Sequence, residues 1–321
     1  LNARTEGLRA DAAEWDWRAA MQRGYFNAAW HDIKSSPGWL GKLVLLSLVG
    51  LIPVFGWIVV YGYVYGWARD IAWGVRAPLP ARIFGNEDGK LYSRGFFALV
   101  IAFVCALVPG VVSAIGGIVT GAGLFGFGWT LHEGSVWLPF GLASGLIGLL
   151  LSVVSVALTV LVTIFQWVGT MRMSVYGRLS AGFQIGRLWA MIRHDFGGLI
   201  RILGMAIVLF LATGAVVGLL SLVFMLIVFF TAALAAVGFL ASPFEAAALS
   251  ATAGTAVVVV GLALVGIVSL ALSVFISMMV ARAMGYWMRQ FDVPAWRGQD
   301  DPMPFELAGG AYTTGPRTPF R

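Results

Sequence analysis

"LVGLIPVFGWIVV", residues 48–60, lies in the middle of an uncharged run bounded by Lys42 and Arg69. Its reading decides the topology of the chain. As helix, residues 43–68 reach only about 39 Å at about 1.5 Å per residue. Two crossings of a hydrocarbon core about 30 Å thick do not fit in that length. Either the segment crosses once as a kinked, tilted helix, or it enters the membrane and turns back at Pro53 and Gly56. Proline removes a backbone donor and breaks the helical ladder, and glycine tolerates a tight bend. Backbone groups freed at that depth have to be buried in protein rather than lipid.

The surrounding charges favour the turn. All 21 Lys and Arg fall in four blocks, at residues 1–42, 69–94, 171–201 and 282–321, and three stretches between them carry none. Short loops rich in Lys and Arg stay on the cytoplasmic side, so the simplest topology puts all four blocks there. A single crossing at Pro53 would strand either the first block or the other three outside. Residues 95–170 have room to go out and return, with the outer turn at "GWTLHEGSVWLP" (128–139), marked by His132 and Glu133. Residues 202–281 do likewise around "SPFEAA" (242–247), with Glu245.

Composition agrees with a bilayer setting. The chain is 60% hydrophobic and 11% charged, with a mean hydropathy of +0.88; soluble domains carry about 25% charge. The first twenty residues mix both charge signs without an apolar run, so no signal peptide is expected in them. The single Cys105 lies inside an apolar run and reads as a small packing residue.

A second regularity is a match at a constant offset of 159. "WHDIKSSPGWLGK" (30–42) aligns with "WAMIRHDFGGLIR" (189–201), pairing Trp30 with Trp189, Ile33 with Ile192, Lys34 with Arg193, Gly38 with Gly197 and Lys42 with Arg201. In both copies apolar residues recur every three or four positions with cations between, the pattern of an amphipathic helix lying on a membrane surface. Lys34, Lys42, Arg193 and Arg201 are therefore the expected contacts to anionic lipid head groups. The predicted fold class is all-α: a polytopic integral membrane protein with a re-entrant N-terminal hairpin, two long transmembrane helix hairpins and amphipathic interfacial helices. Its expected parts are an interfacial segment at 1–38, a membrane domain at 39–290 and a tail at 291–321. Within the membrane domain lie the segment 39–68, a hairpin at 95–171, an interfacial helix at 178–196 and a hairpin at 197–290.

"GLIPVFGWIVVYGYVYGWARDI", followed by "APLPARIFGNEDGKLYSRGFFALV", resembles the bacterial and archaeal membrane proteins grouped as domain-of-unknown-function family 4013. The shared features are an Ile-Pro turn, a Gly-Tyr pair leading to a basic segment, a Leu-Pro before an acidic patch, and a Gly opening the next apolar run. "YGRLSAGFQIGRLWAMIRHDFGGLI" is similar to the family's Phe-containing basic helix. The resemblance covers about residues 25–290 and implies no activity.

Chemistry has few residues to work with. The runs 43–68, 95–131, 136–170, 202–244 and 246–281 contain no ionisable group of the Asp, Glu, Lys, Arg or His type, whereas ion-coupled transporters keep such groups inside the bundle. His31, His132 and His194 all fall in interface or loop segments, and the "HD" dipeptides at 31–32 and 194–195 lack the further ligands of a metal site. No catalytic residue, metal or cofactor is expected, and nucleic acid is not expected as a partner. The expected role is a non-catalytic structural or accessory subunit in the cytoplasmic membrane, both termini inside, packing against lipids and other membrane subunits. The alternative is a permease-like subunit for a hydrophobic or lipid substrate. Glycine, at 41 residues, supplies GxxxG spacings at Gly62/Gly66, Gly117/Gly121, Gly141/Gly145, Gly182/Gly186 and Gly214/Gly218, a weak signal for close helix packing. The run at 116–129 is glycine-rich enough to be expected to bend.

Overall fold

A computed structural model describes residues 24–75, 77–85, 89–133, 138–241, 243–291 and 293. The expected terminal segments before residue 24 and after residue 293, and the outer-turn residues 134–137 and 242, lie outside the described residues. Among the described residues the structure is all-helical: α1 Tyr25–Lys34, α2 Trp39–Gly50, α3 Phe55–Ala72, α4 Leu91–Glu133, α5 Leu138–Tyr176, a 3-10 turn at Leu179–Phe183, α6 Ile185–His194, α7 Phe196–Ala241 and α8 Pro243–Arg289. Four stretches are long and apolar enough to cross a membrane, Leu91–Ala122, Leu142–Tyr176, Phe196–Leu234 and Gly254–Arg289. This is the construction of a polytopic helical membrane protein.

The chain breaks at 51–54, between α2 and α3. Val54 has φ 62° and ψ −62°, and the Phe55 N–H donates to the Pro53 carbonyl at 2.6 Å. That is a γ-turn of the rare, strained hand. Gly56 serves this corner by absence of a side chain rather than by bending: it is helical, and a Cβ there would collide with the Val49 carbonyl. The two helices thus approach backbone to backbone. The 12 and 18 residues of α2 and α3 reach about 18 and 27 Å.

Buried side chains gather at one end. The main core draws on α1, α2, α3, the loop after α3, the start of α4, the last turns of α5, α6, the start of α7 and the end of α8. Every contributor lies beside one of the basic blocks. Beyond this base, α4–α5 and α7–α8 run on as two hairpin arms. No more than 17% of the most apolar stretch of any long helix is buried, so the arms present apolar side chains such as Phe103, Val153, Phe210, Met225 and Leu262 outward. In water this would be disfavoured by about 25 cal/mol per Å²; against acyl chains it costs nothing, and packing contacts hold the helices together instead. Between α4 and α5 these are a Ser113–Ser155 hydrogen bond, a Ser155 hydroxyl on the Pro109 carbonyl at 3.4 Å, and Gly148 against Thr120. The glycine-rich run 116–129, expected to bend, stays within the single helix α4, because helical hydrogen bonding inside lipid has no competing solvent.

At the base, α3 is the central helix. Reciprocal glycines let it touch α4: a Cβ on Gly62 would strike the Leu91 carbonyl, and one on Gly95 the Ile58 carbonyl. Gly285 of α8 lies as close to the Ala68 carbonyl. Of the GxxxG spacings, Gly62 and Gly182 fall at such approaches, while Gly117, Gly121, Gly145, Gly214 and Gly218 face open space. The segments matched at offset 159 fold alike, each as a ten-residue surface helix, α1 and α6, with Ile33 and Ile192 both buried. Relief of the Val54 strain, worth about 1 kcal/mol or more, should make Val54→Gly raise the thermal midpoint of the detergent-solubilised protein. Gly95→Ala should lower that midpoint, through an overpacking cost of about 1–3 kcal/mol in stability, and Gly110→Ala, with open space around it, should not lower it. Circular-dichroism melts measure all three, and an unchanged melt for Gly95→Ala would deny the α3–α4 contact.

Candidate functional site

The most polar part of the interior is a cluster on the central helix. Arg282 of α8 is 1% exposed. Its Nε and Nη2 donate to one carboxylate oxygen of Asp32 on α1, at 2.8 and 2.7 Å, and its Nη1 donates to the Trp67 carbonyl at 2.9 Å. The guanidinium lies 4.1 Å from the centroid of the Trp67 ring, and Tyr286 donates its hydroxyl to the same Asp32 oxygen at 2.7 Å. A buried charge needs this degree of compensation: pairing alone seldom repays desolvation, whereas pairing plus hydrogen bonds can. One turn on, the Trp287 indole donates to the Asp195 carbonyl at 3.2 Å and the Gln290 amide to the Asp195 carboxylate at 3.2 Å. The two "HD" aspartates therefore hold the end of α8 from two sides. Tyr25 belongs to the same neighbourhood; burial pushes its phenol up to about 12, with Asp195 adding to the rise and Arg201 opposing it.

The loop after α3 is tied down as a strap. Its carbonyls at Ala77, Leu79 and Pro80 accept from the Trp67 indole (3.0 Å), the Lys42 ammonium (2.8 Å) and the Tyr63 hydroxyl (2.9 Å). The Leu79 N–H donates to the Ser36 hydroxyl at 3.0 Å. Proline-rich backbone cannot pair with itself, so side chains of α2 and α3 satisfy it. Trp67 thus joins the strap, through its indole, to α8, through its carbonyl and ring face.

On the other side of α3 a cavity of about 340 Å³ opens where the ends of α3, α4 and α5 meet. Arg69, Lys90, Arg94 and Arg178 line it, with Trp73 and Tyr176 among the aromatic walls. Arg94 is 4% exposed and reaches the Gly62 carbonyl at 3.5 Å; Lys90 and Arg178 are exposed. Arg69 also pairs with its neighbour Asp70 at 3.3 Å. No carboxylate is among the described residues lining the cavity. All four cations take part in further interactions of their own, and among the described residues no group of three or more His, Cys, Asp or Glu is placed to hold a metal.

The four cations singled out in the sequence fall elsewhere. Lys34, Arg193 and Arg201 are exposed on α1, α6 and α7; Lys42 is half-buried, with its ammonium on the strap. Pro53 and Gly56 lie at the α2–α3 corner. The arginines missed by sequence reasoning are Arg94, Arg172 and Arg282, all buried. Arg172 bonds the Gln184 side chain at 3.1 Å and lies 4.7 Å from the centroid of the Tyr176 ring. Each of the three stands at the edge of a charge-free run, the one signal that could have singled them out.

A family model described as "Protein of unknown function (DUF4013)" matches residues 45–222. That range takes in the α2–α3 corner, the strap, α4, α5, α6 and half of α7, and is narrower than the span 25–290 over which the sequence bears a resemblance. Neither a curated protein nor a solved structure matches the chain.

Breaking the buried pair should cost far more than replacing it. Asp32→Leu leaves the Arg282 charge uncompensated and should destabilise the protein by about 3–5 kcal/mol, whereas Asp32→Leu combined with Arg282→Met should recover most of that loss. Urea or thermal unfolding in detergent completes the double-mutant cycle, and additive losses would deny the coupling.

Proposed function

The chain belongs to the family of proteins of unknown function DUF4013, and from that premise we propose that it is a non-catalytic integral membrane protein, a structural or accessory subunit that packs against lipids and other membrane proteins. The observation that carries this reading is the contrast between a closed base and two bare apolar arms. Surface of that kind is matched by acyl chains and by other transmembrane helices. No catalytic step is assigned to it, and neither a cofactor nor nucleic acid enters the reading.

The basic blocks favour placement in the cytoplasmic membrane with the base and both termini on the cytoplasmic side. The α2–α3 pair is then a re-entrant hairpin, since helices of about 18 and 27 Å fall short of two full crossings. A second reading, a permease-like subunit for a hydrophobic or lipid substrate, draws on one feature: an apolar cleft of about 470 Å³ between α7 and α8, lined by Leu220, Phe224, Val260 and Leu264 among others.

Extraction from native membranes in mild detergent should bring out a partner membrane protein at fixed stoichiometry, and the isolated chain in liposomes should give no flux. Substrate-dependent flux by the isolated chain would replace the first reading with the second. In a Cys105→Ser background, cysteines at the exposed Ala81 and Ser180 should be shielded from an impermeant thiol reagent added outside, and one at Ser135 should react. Labelling at Ala81 would restore a single crossing through Pro53.

A further inference from the structure

We propose that α1 and α6 rest at one depth in the head-group layer of the membrane, with their exposed apolar edges against the acyl chains. The hydrocarbon boundary then crosses α5 at Phe165 and α8 at Phe275, and the base projects out of the hydrocarbon. The inference deepens the membrane reading above by naming the surface that meets the lipid boundary, and it takes from that reading only the choice of the cytoplasmic leaflet.

Each surface helix is apolar on two sides. On α6, Leu188, Met191 and Ile192 are buried in the core. The next edge round the helix carries Ile185 and Trp189, 69% and 46% exposed, and the exposed Arg193 follows. Core, free apolar edge and cation, in that order, are what a helix half sunk in an interface requires. On α1 the residues matched at offset 159 repeat the order: Ile33 is buried, Phe26 is 45% exposed, Trp30 is half-buried and Lys34 is exposed. The two tryptophans also have matching partners on the arms. Trp189 stacks on Phe165 of α5, with ring centroids 6.1 Å apart, and Trp30 meets Phe275 of α8 edge to face at 5.8 Å. Tryptophan is favoured at the membrane interface, where its ring is apolar and its N–H polar.

Burial changes at the same level on both arms. Every residue of α5 from Val168 to Ser174 is buried, and so is every residue of α8 from Met278 to Met288. Towards the tips, Val154 and Leu161 of α5 and Val260 and Leu264 of α8 are exposed. Length agrees. The apolar stretches Leu142–Tyr176 and Gly254–Arg289 reach about 52 and 54 Å as helix, against about 30 Å of hydrocarbon. Ended at Phe165 and Phe275 they reach about 36 and 33 Å, which ordinary tilt accommodates.

The test uses the full-length protein in lipid nanodiscs, with single spin labels in a Cys105→Ser background and collision rates read for oxygen, which concentrates in hydrocarbon, and for a water-soluble nickel chelate. Oxygen should dominate at Ile185→Cys and Phe26→Cys, and the chelate at Arg193→Cys and Lys34→Cys, all at exposed positions. Along the arms the oxygen excess should peak at Val154→Cys and Leu264→Cys, each about 16 Å from the proposed boundary and so near mid-bilayer. A boundary at Tyr176 would put Val154 about 33 Å away, at the far edge, and move the peak to Leu161→Cys; that result would overturn the proposal. Chelate access at Ile185→Cys equal to that at Arg193→Cys would also overturn it. Exclusion of both reagents at Ile185→Cys would make the occupant of that edge protein instead of lipid, overturning the proposal while leaving the accessory-subunit reading intact.

Discussion

The Arg282 guanidinium, buried against Asp32 and the Trp67 ring, is the constraint on which the base depends. A charge withdrawn from water has to recover its lost hydration from fixed partners, and those of this α8 residue come from α1 and α3. Asp32 and Arg282 are 250 residues apart in the chain, so the pair ties the first described helix to the last. Its geometry admits few alternatives, because Trp67 is held at the same time by the strap at Ala77. An apolar core of equal volume would tolerate sliding of α8 along α3; the directional bonds to Asp32 and to the Trp67 carbonyl do not. Whether the ions are retained for that positional definition rather than for stability is the distinction the double-mutant cycle draws.

Around that fixed point the molecule divides according to its surroundings. At the base, helix ends, strap and surface helices pack against one another, and the core clusters there. Along the arms the solvent is expected to be hydrocarbon, and burying a leucine against another helix gains little over leaving it in lipid. The arms therefore rely on close contacts at a few small residues, Ser113 with Ser155 and Gly148 with Thr120, and on Gly261 under the Phe224 ring. Their helices, of 39 to 47 residues, are longer than a bilayer requires, which tilt or extension beyond the lipid accommodates.

The long helices and their pairing were legible in the sequence, because charge-free runs of known length leave few other constructions and the basic blocks mark their ends. The break at Pro53 was legible for the same local reason. The buried arginines were not. Composition places Arg94, Arg172 and Arg282 at a membrane boundary, where arginine is ordinarily half-solvated, and nothing local to them reveals that α8 passes between α1 and the α6–α7 corner. The "HD" dipeptides were assigned to interfacial helices on good local grounds, yet the partners of Asp32 and Asp195 lie about 250 and 95 residues away. Glycine spacing misled in a similar way. Gly62 is used, but its counterpart in the contact is Gly95 on another helix rather than Gly66 on its own, since a close crossing needs small residues on both partners.

The two segments matched at offset 159 show how one position can redirect a shared beginning. Each starts as a ten-residue surface helix, turns, and continues as an apolar helix, and position 36 or 195 supplies a polar side chain in the turn: Ser36 accepts from the strap at Leu79, and Asp195 accepts from Gly198 at 2.9 Å and from Gln290. The paths part where Pro53 stands in the first segment and Ala212 in the second. Proline lacks the donor and crowds the preceding turn, so α2 ends and the chain folds back as α3, whereas alanine, the best helix former, lets α7 run on to Ala241. The returning α3 delivers Trp67 and Arg69 to the base, one to the buried Arg282 and the other to the cationic cavity. Without that early reversal the chain would have a third arm and no central helix for α4 and α8 to pack against.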